Sequence, residues 1–111
     1  MRIQADMTLR TDPGPFRAVW RGDKTAEARK NDRQYQVGDV ISLIEFSREH
    51  GKWVPPHREI IIRVTHVQRL AEYFLTADNV VVLSFKILQR REHGVRDSKL
   101  CRGCRGDRAA S

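Results

Sequence analysis

Three segments with the residue pattern of β-strands constrain the fold of this chain most strongly. They span residues 40–46, 58–67 and 80–87. The first is apolar on both faces except at Ser42 and Glu45, which predicts a central strand. In the third, every second residue is apolar, so that one face of the strand is wholly apolar. The residues on that face are Val81, Leu83, Phe85 and Ile87.

Weaker patterns predict how the remaining strands are arranged. Alternating apolar positions in residues 1–10 indicate a first strand. The polar stretch 48–52 contains Gly51 and predicts a hairpin loop. In the strand at 58–67, His66 shares a face with Ile62 and Val64. We therefore expect this histidine to be partly buried.

One short helix is predicted between the first two strands. Asp12 is suited to the N-cap position and Pro13 to the first helical position. An apolar face follows at helical spacing, and Gly22 ends the helix in the left-handed conformation. The residues of that face are Phe16, Val19 and Trp20.

Residues 25–29 predict a second strand with two unlike faces. Ala26 and Ala28 share one face, whose small side chains suit close packing on a neighbour. Glu27 and Arg29 project together from the opposite face. Asn31 and Asp32 then predict a turn with self-capping side chains.

Together these elements predict an α+β, mostly β fold. We expect a small, mainly antiparallel β-barrel with one or two short helices. The chain has 111 residues, enough for one domain, which we assign to residues 1–89. No apolar run approaches the length of a membrane span, so we expect a cytoplasmic protein without membrane contact.

The charge of the chain indicates a polyanionic partner. It has 21 Lys and Arg against 14 Asp and Glu, for a formal net charge of +7. Nucleic acid is the commonest partner of so basic a domain. A basic surface that serves only solubility is the alternative reading of the same charge.

Residues 90–111 differ in composition from the predicted domain. Glycines interrupt their few apolar residues without a helical or strand period, which predicts a disordered basic tail. The tail carries a single Cys-x-x-Cys, formed by Cys101 and Cys104. A structural zinc site needs four ligands, so we expect reduced thiols, no bound metal and no cofactor.

The centre of the chain resembles the ASCH domain, a branch of the PUA-like β-barrel superfamily. The similarity covers residues 7–87 and is closest to a small phage and bacterial subgroup whose function is mainly unknown. Two motifs carry it, Gly22-x-Lys24-Thr25-x-Glu27-x-Arg29-Lys30-Asn31-Asp32-Arg33 and Val37-Gly38-Asp39.

The resemblance implies a cleft beside the helix–strand junction that binds RNA. Some ASCH relatives are instead hydrolases of modified cytidine nucleosides or ribonucleases. The chain departs from those patterns at two places: Met7 stands where the subgroup has His, and Glu27 follows Lys24 where the amidohydrolase branch has Thr. Both departures argue against an enzyme.

The residues themselves predict how such a cleft would bind a nucleotide. Arg29 is suited to bidentate contact with phosphate, and Glu27 to accepting a hydrogen bond from an exocyclic amine. A charge cluster of Lys24, Glu27 and Arg29 that only stabilises the fold is the structural alternative. The predicted nucleic-acid-binding residues are Arg10, Lys24, Thr25, Glu27, Arg29, Lys30, Arg33 and the stacking candidates Tyr35 and Trp53.

The favoured function is therefore a noncatalytic RNA-binding module that takes an unpaired nucleotide. The first alternative is a hydrolase acting on a modified nucleobase, a nucleoside or RNA. In that case Glu27 would be the general base, and Lys24 would polarise the scissile group. The second alternative is a phage-type accessory protein that binds a host protein.

Overall fold

The computed structural model describes residues 3–74 and 79–93 and has one helix and a six-stranded sheet. The fold is α+β and mostly β, as predicted. The elements in chain order are β1 (Met7–Thr11), α1 (Pro13–Arg21), β2 (Ala26–Lys30), β3 (Val40–Ser47), β4 (Lys52–Trp53), β5 (Arg58–Arg69), a 3₁₀ turn (Leu70–Glu72) and β6 (Val80–Glu92).

The sheet is mainly antiparallel and has β1 and β2 at its two ends. The strand order is β1-β3-β5-β6-β2, with β4 paired to β3 beside this path. Only the β1–β3 pair is parallel among these pairings. No backbone pairing between β1 and β2 closes the sheet within the residues described, so the sheet has an open side and the predicted barrel is not confirmed.

The helix has the start and end that its sequence predicts. Asp12 is the N-cap residue, although its side chain caps no backbone group, and Pro13 is the first helical residue. Gly22 adopts a left-handed conformation with φ of 87°, and its N–H donates to the last turn. Phe16 and Val19 are buried against the sheet. Burial of each of these two side chains stabilises the packing of α1 on the sheet by about 1.5–3 kcal/mol.

A single core lies between α1 and one face of the sheet. Every second residue of β6 from Val81 to Ile87 reaches it, which confirms the predicted apolar face of that strand. The buried members of the core are Leu9, Phe16, Val19, Tyr35, Ile41, Leu43, Ile60, Ile62, Val64, Val81, Leu83 and Phe85.

A β-bulge reverses the predicted orientation of His66. The pairing of β5 with β6 shifts register between Val64 and His66, because Thr65 is an extra residue on β5. Side-chain alternation changes parity at that point. Val67 therefore packs against the core, while His66 is exposed rather than partly buried.

Strand β6 is longer than its apolar pattern indicates. It continues to Glu92, so Arg90, Arg91 and Glu92 belong to the sheet and not to the predicted tail. Their partners on β5 are Ile60, Glu59 and Arg58. The domain boundary after residue 89 is thus too early by at least three residues. Residues 94–111, including the Cys-x-x-Cys, lie outside the described residues.

Within the part of the chain that the structure describes, no helix has the length and apolar character needed to cross a membrane.

Candidate functional site

Two neighbouring pockets lie near the open side of the sheet and share Arg29 and Arg48. The narrow pocket has a volume of about 330 Å³ and the wide pocket about 770 Å³. The narrow pocket is lined by Asp12, Pro15, Glu27, Ala28, Arg29, Lys30, Asp32 and Arg48. The wide pocket is lined by Thr8, Arg10, Arg29, Arg33, Ile44, Phe46 and Arg48.

The orientation of β2 determines which of its side chains reach the narrow pocket. Glu27 and Arg29 share a face, as predicted, but it is the more buried face of the strand. Ala28 is exposed, so the expectation that the alanine face packs closely on a neighbour is wrong. The inward face can hold a carboxylate because adjacent cations neutralise it.

Lys24, Glu27 and Arg29 form one connected charge cluster. The Lys24 ammonium donates to Glu27 Oε1 at 2.5 Å, and Arg29 Nη1 lies 3.5 Å from Glu27 Oε2. The side chain of Glu27 is 10% exposed and that of Arg29 is 17% exposed. Both oxygens of the carboxylate thus face a cation, which fixes the relative positions of the ammonium and the guanidinium.

Arg29 is held by further contacts from two other elements. Its Nη1 donates to the backbone carbonyl of Arg10 on β1 at 3.0 Å. The Tyr35 phenol also interacts electrostatically with the Arg29 guanidinium. Burial raises the pKa of the Tyr35 phenol above its ordinary value, and the neighbouring Arg29 only partly offsets this effect. The tyrosine is therefore a neutral partner for the guanidinium at neutral pH.

The wide pocket combines four guanidiniums with an aromatic ring. Its cations are Arg10, Arg29, Arg33 and Arg48, and its lining includes no acidic residue. Arg10 Cζ lies 4.5 Å from the centre of the Phe46 ring. Arg33 Nη1 donates to the carbonyl of Thr8 at 3.4 Å, so arginines from β2 and the following loop contact the free edge of β1.

The N-terminus of α1 borders the narrow pocket but offers few donors to an anion. Pro13 and Pro15 have no backbone N–H, and the Phe16 N–H is already bonded to the Asp12 carbonyl. The Asp12 carboxylate lies 3.6 Å from Arg48 Nε. An anion at this site would therefore be bound mainly by side chains.

The structure brings together most, but not all, of the predicted binding residues. Arg10, Glu27, Arg29, Lys30 and Arg33 line the two pockets. Lys24 lines neither pocket and contacts the site only through its ion pair with Glu27. Thr25 is exposed and is absent from both linings.

The two predicted stacking residues lie elsewhere. Tyr35 is 5% exposed and belongs to the core. Asn31 Oδ1 accepts from the Tyr35 N–H and confirms the capping role predicted for this turn. Trp53 packs against the rings of His57 and His93 and donates to the carbonyl of Arg58. Neither aromatic side chain lines the pockets.

Sequence reasoning missed Arg48 and Phe46, which do line the site. Phe46 could have been found from strand parity, since it shares a face of β3 with Ile44 and not with the core residue Leu43. Arg48 follows β3 in a polar turn, where the sequence carries no signal that distinguishes it from other surface arginines.

A buried ion-pair network lies under α1, outside the lining of both pockets. Glu45 is fully buried, and its carboxylate accepts hydrogen bonds from Arg17 Nε at 2.9 Å and from Arg58 Nη2 at 3.0 Å. Arg58 also lies over the Trp20 ring, with Cζ 4.8 Å from the ring centre. This network joins the helix to β3 and β5.

A second network joins β3, β5 and β6 around Glu59. Its carboxylate accepts from Ser42, Arg91 and His93. Burial opposes ionisation of Glu59, but these hydrogen bonds outweigh that effect and lower its pKa below the ordinary value of 4.5. Among the residues that the structure describes, no group of His, Cys, Asp or Glu is arranged to hold a metal ion.

Comparison with known proteins gives a family but no activity. No curated protein matches the chain significantly. One family model matches residues 7–85, which run from β1 into the first half of β6 and include every residue that lines the two pockets. By this match, the chain belongs to the family described as a domain of unknown function, DUF3850.

Proposed function

We propose that this protein binds single-stranded RNA at the open side of its sheet and takes an unpaired nucleotide there. The observation that carries the proposal is the set of cations lining the two pockets, with Arg29 fixed at their junction. The set consists of Arg10, Arg29, Lys30, Arg33 and Arg48. Guanidiniums of this kind bind phosphate oxygens with paired, directional hydrogen bonds.

The anchoring of Arg29 supports binding over a purely structural charge cluster. Glu27 and the Arg10 carbonyl hold one side of the guanidinium, yet the residue still lines both pockets. A side chain ordered before the ligand arrives loses little conformational entropy on binding. Glu27 thus has a positioning role, since it orders both Lys24 and Arg29.

The resemblance of the central motifs to the ASCH domain supports RNA as the polyanion. The net charge of +7 supports the same class of partner. We extend the proposal to a PUA-like module that works in the cytoplasm without catalysing a reaction. A host protein is the alternative partner, and copurification of a stoichiometric protein without nucleic acid would favour it.

Fluorescence anisotropy with a labelled single-stranded RNA of eight nucleotides tests the proposal. For three to five phosphate contacts, the logarithm of the binding constant should fall against the logarithm of salt with a slope of about −2 to −3.5. Arg29→Gln should weaken binding by about tenfold or more. Arg63→Gln is the matched control, because Arg63 is exposed on β5 and lines neither pocket.

Two results would contradict RNA binding at this site. One is an affinity that does not change with salt, since phosphate contacts release counterions. The other is an equal loss of affinity in Arg29→Gln and Arg63→Gln, which would make the binding a general property of the surface charge.

A hydrolase is the second candidate function, and one contact favours it. The Lys24 ammonium lies 2.5 Å from Glu27 Oε1, so a carboxylate and a cation are close enough to contact one substrate together. Turnover of acetylated cytidine or of RNA that disappears in Glu27→Gln would support it. Turnover that survives this substitution would show that the activity comes from another site or another protein.

A further inference from the structure

The wide pocket is built on the outer face of β1 and β3, away from the core. Arg10 pairs with Ile44 across the two strands, so both side chains emerge on the same face. Phe46 lies two residues further along β3 on this face, half-buried. The opposite face of the same strands carries Leu9 and Leu43, which are core residues.

This outer face offers an apolar surface beside positive charge. Ile44 and Phe46 form the apolar part, and the four arginines of the wide pocket surround it. An unpaired nucleotide has a flat, weakly polar base and a charged phosphate, so it requires both parts. The volume of about 770 Å³ lies in the range of small-molecule sites, ~300–1,000 Å³.

Arg10 and Phe46 form a stack within this pocket. Arg10 Cζ is 4.5 Å from the ring centre, and Arg10 itself is exposed. The guanidinium therefore lies over the ring. Bases stack on aromatic rings and on arginine planes alike. The Arg10–Phe46 stack thus has the chemistry of a base-binding platform.

The narrow pocket differs from the wide one in its acceptors. Its lining includes Asp12, Glu27 and Asp32 together with cations, whereas the lining of the wide pocket has no acid. Arg29 and Arg48 are common to both pockets. A phosphate bound by these two arginines would thus have one pocket on each side of it.

We propose that the site binds two successive nucleotides, with one base on the Arg10–Phe46 stack and the linking phosphate on Arg29 and Arg48. The second nucleotide occupies the narrow pocket beside Glu27. This inference rests on the proposed RNA binding and adds to it a minimal ligand, a dinucleotide, and a base platform on the outer face of β1 and β3.

Calorimetry or anisotropy competition with 5′-phosphorylated oligoadenylates of one, two and three nucleotides measures the step in affinity that each added nucleotide contributes. The dinucleotide should bind about five- to hundredfold more tightly than the mononucleotide, as expected for one stacked base. The third nucleotide should add less. A dinucleotide with an abasic residue at either position keeps the phosphates and should lose most of the gain.

Two variants assign the gain to the platform. Arg10→Lys keeps the charge but removes the guanidinium plane, so the step between one and two nucleotides should shrink about fivefold or more while the salt dependence stays the same. Phe46→Leu should shrink it similarly. Arg63→Lys is the control for Arg10→Lys and should leave the step unchanged. Thermal unfolding of each variant shows whether the fold is intact.

The possible outcomes separate this inference from the proposed function. If RNA binds but the affinity does not rise from one to two nucleotides, the dinucleotide site is wrong while RNA binding stands. The same conclusion follows if neither Arg10→Lys nor the abasic residue reduces the step. If no oligonucleotide of any length binds, both proposals fail.

Discussion

Arg29 combines two roles, since it belongs to a charge cluster that stabilises the fold and also lines the candidate binding site. Its guanidinium contacts Glu27, the Arg10 carbonyl and the Tyr35 hydroxyl, and it still lines both pockets. These contacts come from three different parts of the chain. The arginine is therefore positioned without a ligand, and in the proposed RNA binding its neighbours would act through it.

The first prediction concerns Tyr35 as a positioning residue. Tyr35→Phe removes the hydroxyl that interacts with Arg29 but keeps the buried ring, so the free energy of unfolding should fall by only about 1 kcal/mol. Affinity for single-stranded RNA should fall about three- to tenfold. In an Arg29→Gln background the same substitution should have no further effect on affinity. An equal loss in both backgrounds would show that Tyr35 does not act through Arg29.

The second prediction concerns Glu45, the fully buried carboxylate under α1. Glu45→Gln leaves Arg58 largely buried without its counter-charge and should lower the free energy of unfolding by about 3–5 kcal/mol. Arg17→Gln is the control, because the Arg17 side chain is 54% exposed and its loss should cost at most about 1 kcal/mol. Urea unfolding measures both. Similar costs for the two variants would contradict this account.

At the scale of elements, the sheet depends on two features that strand periodicity does not reveal. We call them joints: a β-bulge in β5 and the hydrogen bonds of Glu59 between strands. The bulge at Thr65 lets β5 present Val64 and Val67 to the core, although their spacing breaks simple alternation. The far end of the same strand is joined to β3 and β6 through Glu59. Both joints use residues that look unremarkable in the sequence.

The third prediction concerns the pH dependence of the Glu59 joint. Its pKa is lowered in the folded protein, so the stabilisation is complete above the ordinary value of 4.5 and is lost as pH falls through the lowered value. Glu59→Gln should therefore cost about 1–2 kcal/mol near pH 6 and much less near pH 3. Urea unfolding at the two pH values measures the difference.

Glu49→Gln provides the control for this pH dependence, because the Glu49 side chain is 85% exposed. Its effect should be small at both pH values. A cost of Glu59→Gln that stays constant between the two would show that the ionised carboxylate is not what stabilises the joint.

At the scale of the whole molecule, the order of the strands creates the site. β1 and β2 are the two ends of the sheet path, and the pockets lie near the side that they leave open. Side chains of Arg29 and Arg33 contact the carbonyls of β1 there, in place of a backbone ladder. These contacts also occupy acceptors of an edge strand that could otherwise pair with another chain.

The fourth prediction concerns the distribution of charge over the chain. Replacing the five cations of residues 94–111 with glutamine lowers the formal net charge of +7 by five. RNA affinity should fall for every sequence and the salt slope should become shallower, because that segment adds nonspecific phosphate attraction. The gain from one to two nucleotides should be unchanged. A loss of that gain would place part of the dinucleotide site in the C-terminal segment.

The sequence alone predicted the classes of element and their main faces, because these depend on local pattern. The strand pattern of residues 40–46 and 80–87 and the caps at Asp12 and Gly22 are all read within a few residues. The motif around Glu27 likewise indicated that its carboxylate and Arg29 share a face, which strand alternation requires.

Only the tertiary structure decided which side chains meet across the sheet. Tyr35 turned inward, Trp53 packed on two histidines, and Phe46 and Arg48 came to line the pockets instead. Those outcomes depend on strand order and on the open side of the sheet, and the exposure of His66 depends on one extra residue in β5. Such features arise from contacts between residues far apart in the chain, and periodicity within a segment carries no information about them.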